Sequence, residues 1–313
     1  MIAFIFPGQG SQAVGMGKAL ADAFEICRQT FAEADEALGE PLSRLIFEGP
    51  EDRLRLTENT QPAILTVSVA AWRLLASRGF EPAFVAGHSL GEYSAHVCAG
   101  TIEFADAVRI VRRRGRYMQE AVPVGQGAMS AVMGLDVAAV AQACAEAAEG
   151  EVVSPANMNM PGQVVIAGAT AAVARAGERA KAMGAKRVVP LPVSAPFHCA
   201  LMKPAEERLA PELRALAARD PRVPVVANVD AEPKRDAASA IDALVRQVSS
   251  PVRWEDVVRR LASEGVRKYV EVGPGTVLCG LVRKINRDAS LANVEDPAGL
   301  EKASGFFAAP QSC

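Results

Sequence analysis

Three residues of this chain have types and spacings that could do chemistry: a serine framed by glycines, a histidine in a loop and an arginine on an apolar helix face. Gly87-His88-Ser89-Leu90-Gly91 matches the G-x-S-x-G nucleophile elbow, a strand-to-helix turn so tight that the flanking residues must be glycine. Residues 83–86 are a short apolar strand candidate, and Tyr93, Val97 and Cys98 have the spacing of a helix's buried face. Ser89 is therefore expected at a helix N-terminus, its hydroxyl exposed and the Leu90 N–H free to stabilise an oxyanion. The alternative is a glycine-rich turn carrying an incidental serine.

A serine nucleophile needs a base, and the chain has only three histidines. His88 flanks the nucleophile within the elbow and points elsewhere. His96 lies about two helical turns beyond Ser89 and reads as a helix-surface or packing residue. His198, after Pro196 in a loop between two segments of different character, is the candidate base. The arginine comes from the helix at 101–119. With Arg109 at the origin of a helical wheel, Arg112, Arg113 and Arg116 fall within about 60° and read as a solvated face, whereas Arg114 lies about 140° away. Arg114 shares its side with Ala107, Ile110, Val111, Tyr117 and Met118, so its charge needs an anion there, either a substrate or a core carboxylate.

The elements that must hold these groups indicate an α/β fold. A strand at 2–6 leads into Gly8-Gln9-Gly10-Ser11-Gln12-Ala13, which fits the permissive dinucleotide fingerprint. Residues 18–38 then read as one long helix instead of a second strand ending in an acid, so the loop is read as part of a site at the strands' C-terminal ends. Residues 41–56 look loop-like, and Thr60-Gln61-Pro62 opens a helix ending near Gly79. Residues 125–194 run strand, helix, strand, strand, helix, strand, with 157–162 between the middle strands. That is the ferredoxin-like βαββαβ pattern, inserted in a larger unit made of 1–124 and 195–301, with 302–313 as a tail. Further core strands are expected at 224–227 and 268–272 and helices at 204–218 and 240–249; the Gly273-Pro274-Gly275 turn receives no role.

Bulk properties exclude several classes. With 34 basic and 36 acidic residues the net charge is −2, so no global field recruits nucleic acid or an anionic membrane. Cys27, Cys98, Cys144, Cys199, Cys279 and Cys313 lack C-x-x-C spacing, which suggests reduced thiols and no metal site. No apolar run approaches membrane-spanning length, and no secretory signal opens the chain; a cytoplasmic protein is expected.

Taken together, Phe6-Pro7-Gly8-Gln9-Gly10-Ser11-Gln12, Gly87-His88-Ser89-Leu90-Gly91-Glu92, Arg114-Gly115 with Met118-Gln119, Asn157-Met158-Asn159 with Pro161-Gly162-Gln163, Pro196-Phe197-His198, and Gln247 before Pro251 resemble the malonyl-CoA:acyl-carrier-protein transacylases in content and order. The resemblance spans about residues 2–301. It implies an α/β-hydrolase-like catalytic part with a parallel sheet and a ferredoxin-like small part. By position, Ser89 would carry the acyl group, His198 would be its base, and the Gln247 main chain would orient that histidine. Gln9 and Leu90 would supply the oxyanion N–H groups and Arg114 would bind the malonate carboxylate. The implied reaction is ping-pong malonyl transfer from malonyl-CoA to the phosphopantetheine thiol of acyl carrier protein, without cofactor or metal, by a monomer. Phe197 is expected to favour malonyl over methylmalonyl groups, and Arg179, Lys181, Lys186 and Arg187 to meet an acidic carrier. His96 stands where the family would lead one to expect an aliphatic residue. A serine thioesterase and a non-catalytic carrier-binding module are the competing readings.

Overall fold

The protein, in a computed structural model, is described over residues 1–193 and 195–308; Ser194 and 309–313, with Cys313, lie outside. Its elements are β1 (Ile2–Phe6), α1 (Lys18–Ala23), α2 (Glu25–Leu38), α3 (Leu42–Glu48), α4 (Glu51–Leu54), α5 (Thr57–Ser77), β2 (Phe84–Gly87), α6 (Gly91–Cys98) and α7 (Phe104–Glu120). The small unit follows: β3 (Gly127–Met133), α8 (Val137–Ala147), β4 (Val153–Met160), β5 (Gln163–Ala169), α9 (Thr170–Ala182) and β6 (Arg187–Pro190). The chain then returns through α10 (Lys203–Arg214), β7 (Val225–Val226), β8 (Pro233–Lys234), α11 (Ala237–Gln247), α12 (Trp254–Ser263), β9 (Lys268–Val272), α13 (Val277–Ile285), β10 (Ser290–Val294) and α14 (Pro297–Ala308).

The large sheet has the order β10-β9-β1-β2-β7-β8. Every pairing is parallel except β7 with β8, a hairpin whose edge position suits Pro233. Burial on both faces explains the near-continuous apolar strands: in β1, Phe4 and Phe6 enter one core while Ala3 and Ile5 enter the other. Because Phe6 pairs with Gly87, the two glycine-rich turns leave adjacent parallel strands at the same end of the sheet. The small sheet runs β4-β5-β3-β6 with all neighbours antiparallel, the ferredoxin-like arrangement. Helices α8 and α9 cover one of its faces, and the other, with Met129, Ala131 and Val165, joins the core of the large unit.

Several expectations need correction. The helix foreseen at 18–38 is two, broken where Phe24 turns extended (φ −131°, ψ 125°), a break that no Gly or Pro announces. Residues 41–56 hold α3 and α4, too short for a periodicity to register, which bury Leu42, Ile46 and Leu54. Helix α5 starts before Pro62, which therefore sits inside it. The loop expected at 157–162 is mostly strand, because β4 continues to Met160 through two register shifts. The tail boundary at 302 is too early: α14 runs on, and Phe307 stacks on Phe80 with ring centroids 4.1 Å apart. Strand β10 was not foreseen. Of the presumed solvated arginines, Arg109 and Arg113 form surface pairs with Asp106 and Glu212, whereas Arg112 is largely covered and reaches Glu40 and Asn59. Among the described residues no helix is long and apolar enough to cross a membrane.

Helices α5 and α7 cross in near backbone contact, since a Cβ added at Gly115 would lie 2.6 Å from the Thr57 carbonyl oxygen and 2.7 Å from Glu58 Cα. Gly115→Ala gains about 1 kcal/mol of helix propensity and incurs about 1–3 kcal/mol of overpacking. With backbone as the obstacle, overpacking should win, lowering the urea midpoint by the equivalent of roughly 1–2 kcal/mol. An unchanged or higher midpoint would refute the contact.

Candidate active site

Ser89 stands at the turn between β2 and α6 with φ 51°, the left-handed region that costs a non-glycine residue on the order of 1–3 kcal/mol. Close packing enforces it: a Cβ at Gly87 would lie 1.9 Å from the Gly91 carbonyl carbon, and one at Gly91 would lie 2.0 Å from the Phe6 carbonyl oxygen. Ser89 Oγ is 2.7 Å from His198 Nε2. His198 Nδ1 is 3.0 Å from the Gln247 carbonyl oxygen, which can only accept, so the proton belongs on Nδ1 and the lone pair of Nε2 faces the serine. His198 is itself at φ 60°, in the loop entering α10.

Arg114 is 1% exposed. Its guanidinium donates to Gln61 Oε1 (2.9 Å), Gln247 Oε1 (2.9 Å) and Ser89 Oγ (3.2 Å), and lies over the Tyr93 ring. Among the described residues no carboxylate pairs with it, and its Nε has no partner. The core ion pair that the sequence left open is therefore not formed. Neither the Gln9 nor the Leu90 backbone N–H donates to another described residue, and the two follow the ends of the adjacent strands β1 and β2.

Gln9, Gln61, Ser89, Arg114 and His198 line a cavity of about 180 Å³ between the two units, closed by Met118, Met129, Val165, Leu191, Val193 and Phe197. Phe197 is 8% exposed and adjoins the base. The seam is fastened by backbone hydrogen bonds from Met158 N–H to the Val252 carbonyl (2.9 Å) and from Val252 N–H to the Ala156 carbonyl (2.8 Å). His88, at the elbow, reaches Asn159 Oδ1 at 2.9 Å across it. His96 is fully buried with neither ring nitrogen bonded among the described residues, which makes it a packing residue.

Residues 3–304 match the acyl transferase domain family. The malonyl CoA-acyl carrier protein transacylase of Escherichia coli (strain K12) is 54% identical over 302 residues, 96% of this chain and 98% of that protein. That of Bacillus subtilis (strain 168) is 50% identical over 303 residues, 96% of each chain. The chain belongs to the malonyl CoA-acyl carrier protein transacylase family. The solved acyl carrier protein S-malonyltransferase of Vibrio cholerae superposes with TM-score 0.95 at 53% identity, covering 96% of this chain and 99% of that one. A malonyl-transacylase in complex with its type II PKS acyl-carrier protein also gives 0.95, at 51% identity, covering 97% and 99%.

This family member has further residues at the site to which the sequence assigned no role. Asn228, just beyond β7, accepts the Ser89 N–H through Oδ1 (2.7 Å) and donates Nδ2 to the Gly87 carbonyl (2.7 Å). Glu92, within the elbow motif, is fully buried beside Gln247. Gln61 is, with Gln247, one of the two amides at the guanidinium. Glu271, at the unassigned turn, caps α13 by accepting the Leu278 and Cys279 N–H groups (3.0 and 2.7 Å). Of the basic residues expected to meet the carrier, Arg179 and Lys181 lie on α9, on the far side of the small sheet, paired with Glu146 and Glu178.

Burial, reinforced by Arg114, holds His198 down at about 3, so its imidazole is neutral and ready to accept a proton at physiological pH; burial alone does the same to His96. Between about pH 3 and 6.5 the unfolded chain binds protons at both histidines that the folded chain does not, so their contribution to stability falls on acidification. Burial pushes Glu92 and Glu271 up to about 7 from 4.5, which gives the opposite sign between those two values, where the folded chain keeps protons the unfolded one releases. From pH 6.5 to 4.5 these opposite contributions offset one another in part, and below pH 4.5 the histidines are joined by Glu212 and Asp230, whose lowered carboxyls act in the same direction. The melting temperature should change less between pH 6.5 and 4.5 than beneath pH 4.5, where it should fall; a rise on acidification below pH 4.5 would contradict these assignments.

Proposed function

We propose that this protein transfers the malonyl group of malonyl-CoA to the phosphopantetheine thiol of an acyl carrier protein through a malonyl ester on Ser89. Arg114 carries the reading: a buried guanidinium with no carboxylate partner, one hydrogen bond from a serine that is itself bonded to a neutral histidine. A malonyl carboxylate supplies the missing anion, and its paired hydrogen bonds set the thioester carbonyl against Oγ.

His198 Nε2 takes the Ser89 proton as Oγ attacks the thioester carbonyl. The Gln9 and Leu90 N–H groups receive the developing oxyanion, an effect of about 3–4 kcal/mol per donor in comparable sites. Collapse expels the CoA thiolate, which recovers the proton from His198. The carrier thiol then gives its proton to His198 and attacks the malonyl ester, and the proton returns to Oγ. The Gln247 carbonyl keeps Nδ1–H in place throughout. An acetyl group would leave the guanidinium without an anion, which disfavours it. The carrier approaches the mouth of the cavity, where its arm can reach Ser89; Lys186 and Arg187, unpaired among the described residues, are the basic groups left to attract it. The five cysteines among the described residues, all buried and free, fit a reducing, cytoplasmic setting.

Intact mass after mixing with malonyl-CoA should show one malonyl adduct on the wild type and none on Ser89→Ala; an adduct retained by the alanine variant refutes the assignment. Arg114→Ala should lose malonyl transfer by on the order of 100-fold or more while acetyl transfer holds or rises. Loss of both together with a large drop in melting temperature would make Arg114 structural. Release of free malonate at the rate of transfer, without a thiol acceptor, would favour the thioesterase.

Phe197 occupies volume that an α-methyl group would need beside the imidazole. Overpacking of this kind costs about 1–3 kcal/mol, roughly 5- to 150-fold in selectivity. Phe197→Ser should relax the malonyl-over-methylmalonyl ratio of kcat/KM while sustaining malonyl transfer; an unchanged ratio would leave Phe197 as support for the loop.

A further inference from the structure

One layer behind the nucleophile lies a carboxylate that the reaction does not touch. Glu92 follows Ser89 by three residues and has no exposed surface. Its Oε2 accepts the Asn228 backbone N–H at 2.9 Å and a Gln247 Nε2 hydrogen at 2.8 Å. These two residues hold both ends of Ser89: Asn228 Oδ1 accepts its N–H at 2.7 Å, and Gln247 Nε2 donates to its carbonyl at 2.9 Å. The two hydrogens of Gln247 Nε2 are thus committed to the Ser89 carbonyl and to Glu92, which leaves Oε1 to face Arg114 Nη2 at 2.9 Å. Without the Glu92 acceptor one of the two bonds that hold Nε2 is gone. A flipped amide would turn donors against the guanidinium.

We infer that Glu92 is a positioning residue for acyl transfer, its Oε2 fixing Asn228 and Gln247 and, through them, the Ser89 backbone and the amide oxygen that faces Arg114. The inference rests on the reading of Ser89 as the acylated nucleophile. Oε2 serves whether or not the carboxyl is protonated, because Oε1 has no partner among the described residues and can hold the proton. A glutamine can therefore take over, with its amide nitrogen in place of Oε1. An aspartate keeps the charge but draws the acceptor back by one carbon.

Glu92→Gln and Glu92→Asp separate reach from charge. Two rates are read on folded protein: malonyl-serine formation in a single turnover, and sulfonylation of Ser89 by phenylmethylsulfonyl fluoride, which reports the nucleophile without any malonyl group. Glu92→Gln should stay within about threefold of wild type in both, and Glu92→Asp should fall at least about tenfold in both with little change in the malonyl-CoA concentration for half-saturation. Wild-type rates in Glu92→Asp, or equal losses in the two variants, would overturn the inference. If Glu92→Asp does not fold, Asn228→Ala, which removes the acceptor for the Ser89 N–H, must show the same loss, and wild-type rates there would overturn it equally. Should the malonyl reading itself be wrong, the wild type would form no malonyl adduct while sulfonylation would still rank the variants.

Discussion

A guanidinium taken out of water with no carboxylate in direct contact among the described residues is the constraint on which the rest of this site depends. Arg114 is held by two amide oxygens, a serine hydroxyl and the face of Tyr93, all formally neutral. Such partners satisfy hydrogen bonds but bring no charge, and Glu92 acts on the guanidinium only from behind the Gln247 amide and is itself pushed toward its neutral form by burial, so the site is predisposed to an anion of the right reach. The same charge helps to keep His198 neutral.

The second constraint is geometric. Ser89 is forced into a left-handed conformation by contact between β1, β2 and the first turn of α6, and it is held there by hydrogen bonds at both its N–H and its carbonyl. Gln247 joins every part of the centre. Its carbonyl accepts from His198 Nδ1–H, its amide nitrogen donates to the Ser89 carbonyl and its amide oxygen accepts from Arg114. One residue at the end of α11 thus ties His198, Ser89 and Arg114 to one another.

The two-part construction fits this economy. The large parallel sheet presents the glycine-rich turns after β1 and β2 and Asn228 after β7 at one edge, where ligands bind in open α/β sheets. The ferredoxin-like unit turns its helix-free face toward that edge and supplies Met129, Asn157, Asn159 and Val165 as the opposite wall. The cavity exists only because the two meet.

Much of this was legible in the sequence, for physical reasons that also mark where legibility ended. The elbow could be read because a turn that tight excludes any Cβ at positions 87 and 91, so the backbone demand is written in the residue types. Arg114 stood out because a charge on an apolar helix face violates a local pattern, and the βαββαβ insert because strand and helix periods alternate over enough residues to register. The break at Phe24, the short helices α3 and α4 and the extension of β4 through Asn157 and Asn159 left no such mark, since each is decided by what packs against it. Asn228 and the orientation of the Gln247 amide are wholly tertiary. Asn228 lies 139 residues from Ser89 in sequence and meets it because β7 pairs with β2. The sequence by itself determined which residue types could do chemistry and which local turns they occupy. Only the folded structure decided which partners share their hydrogen bonds, because a hydrogen bond selects by distance and direction in space, and sequence separation carries neither.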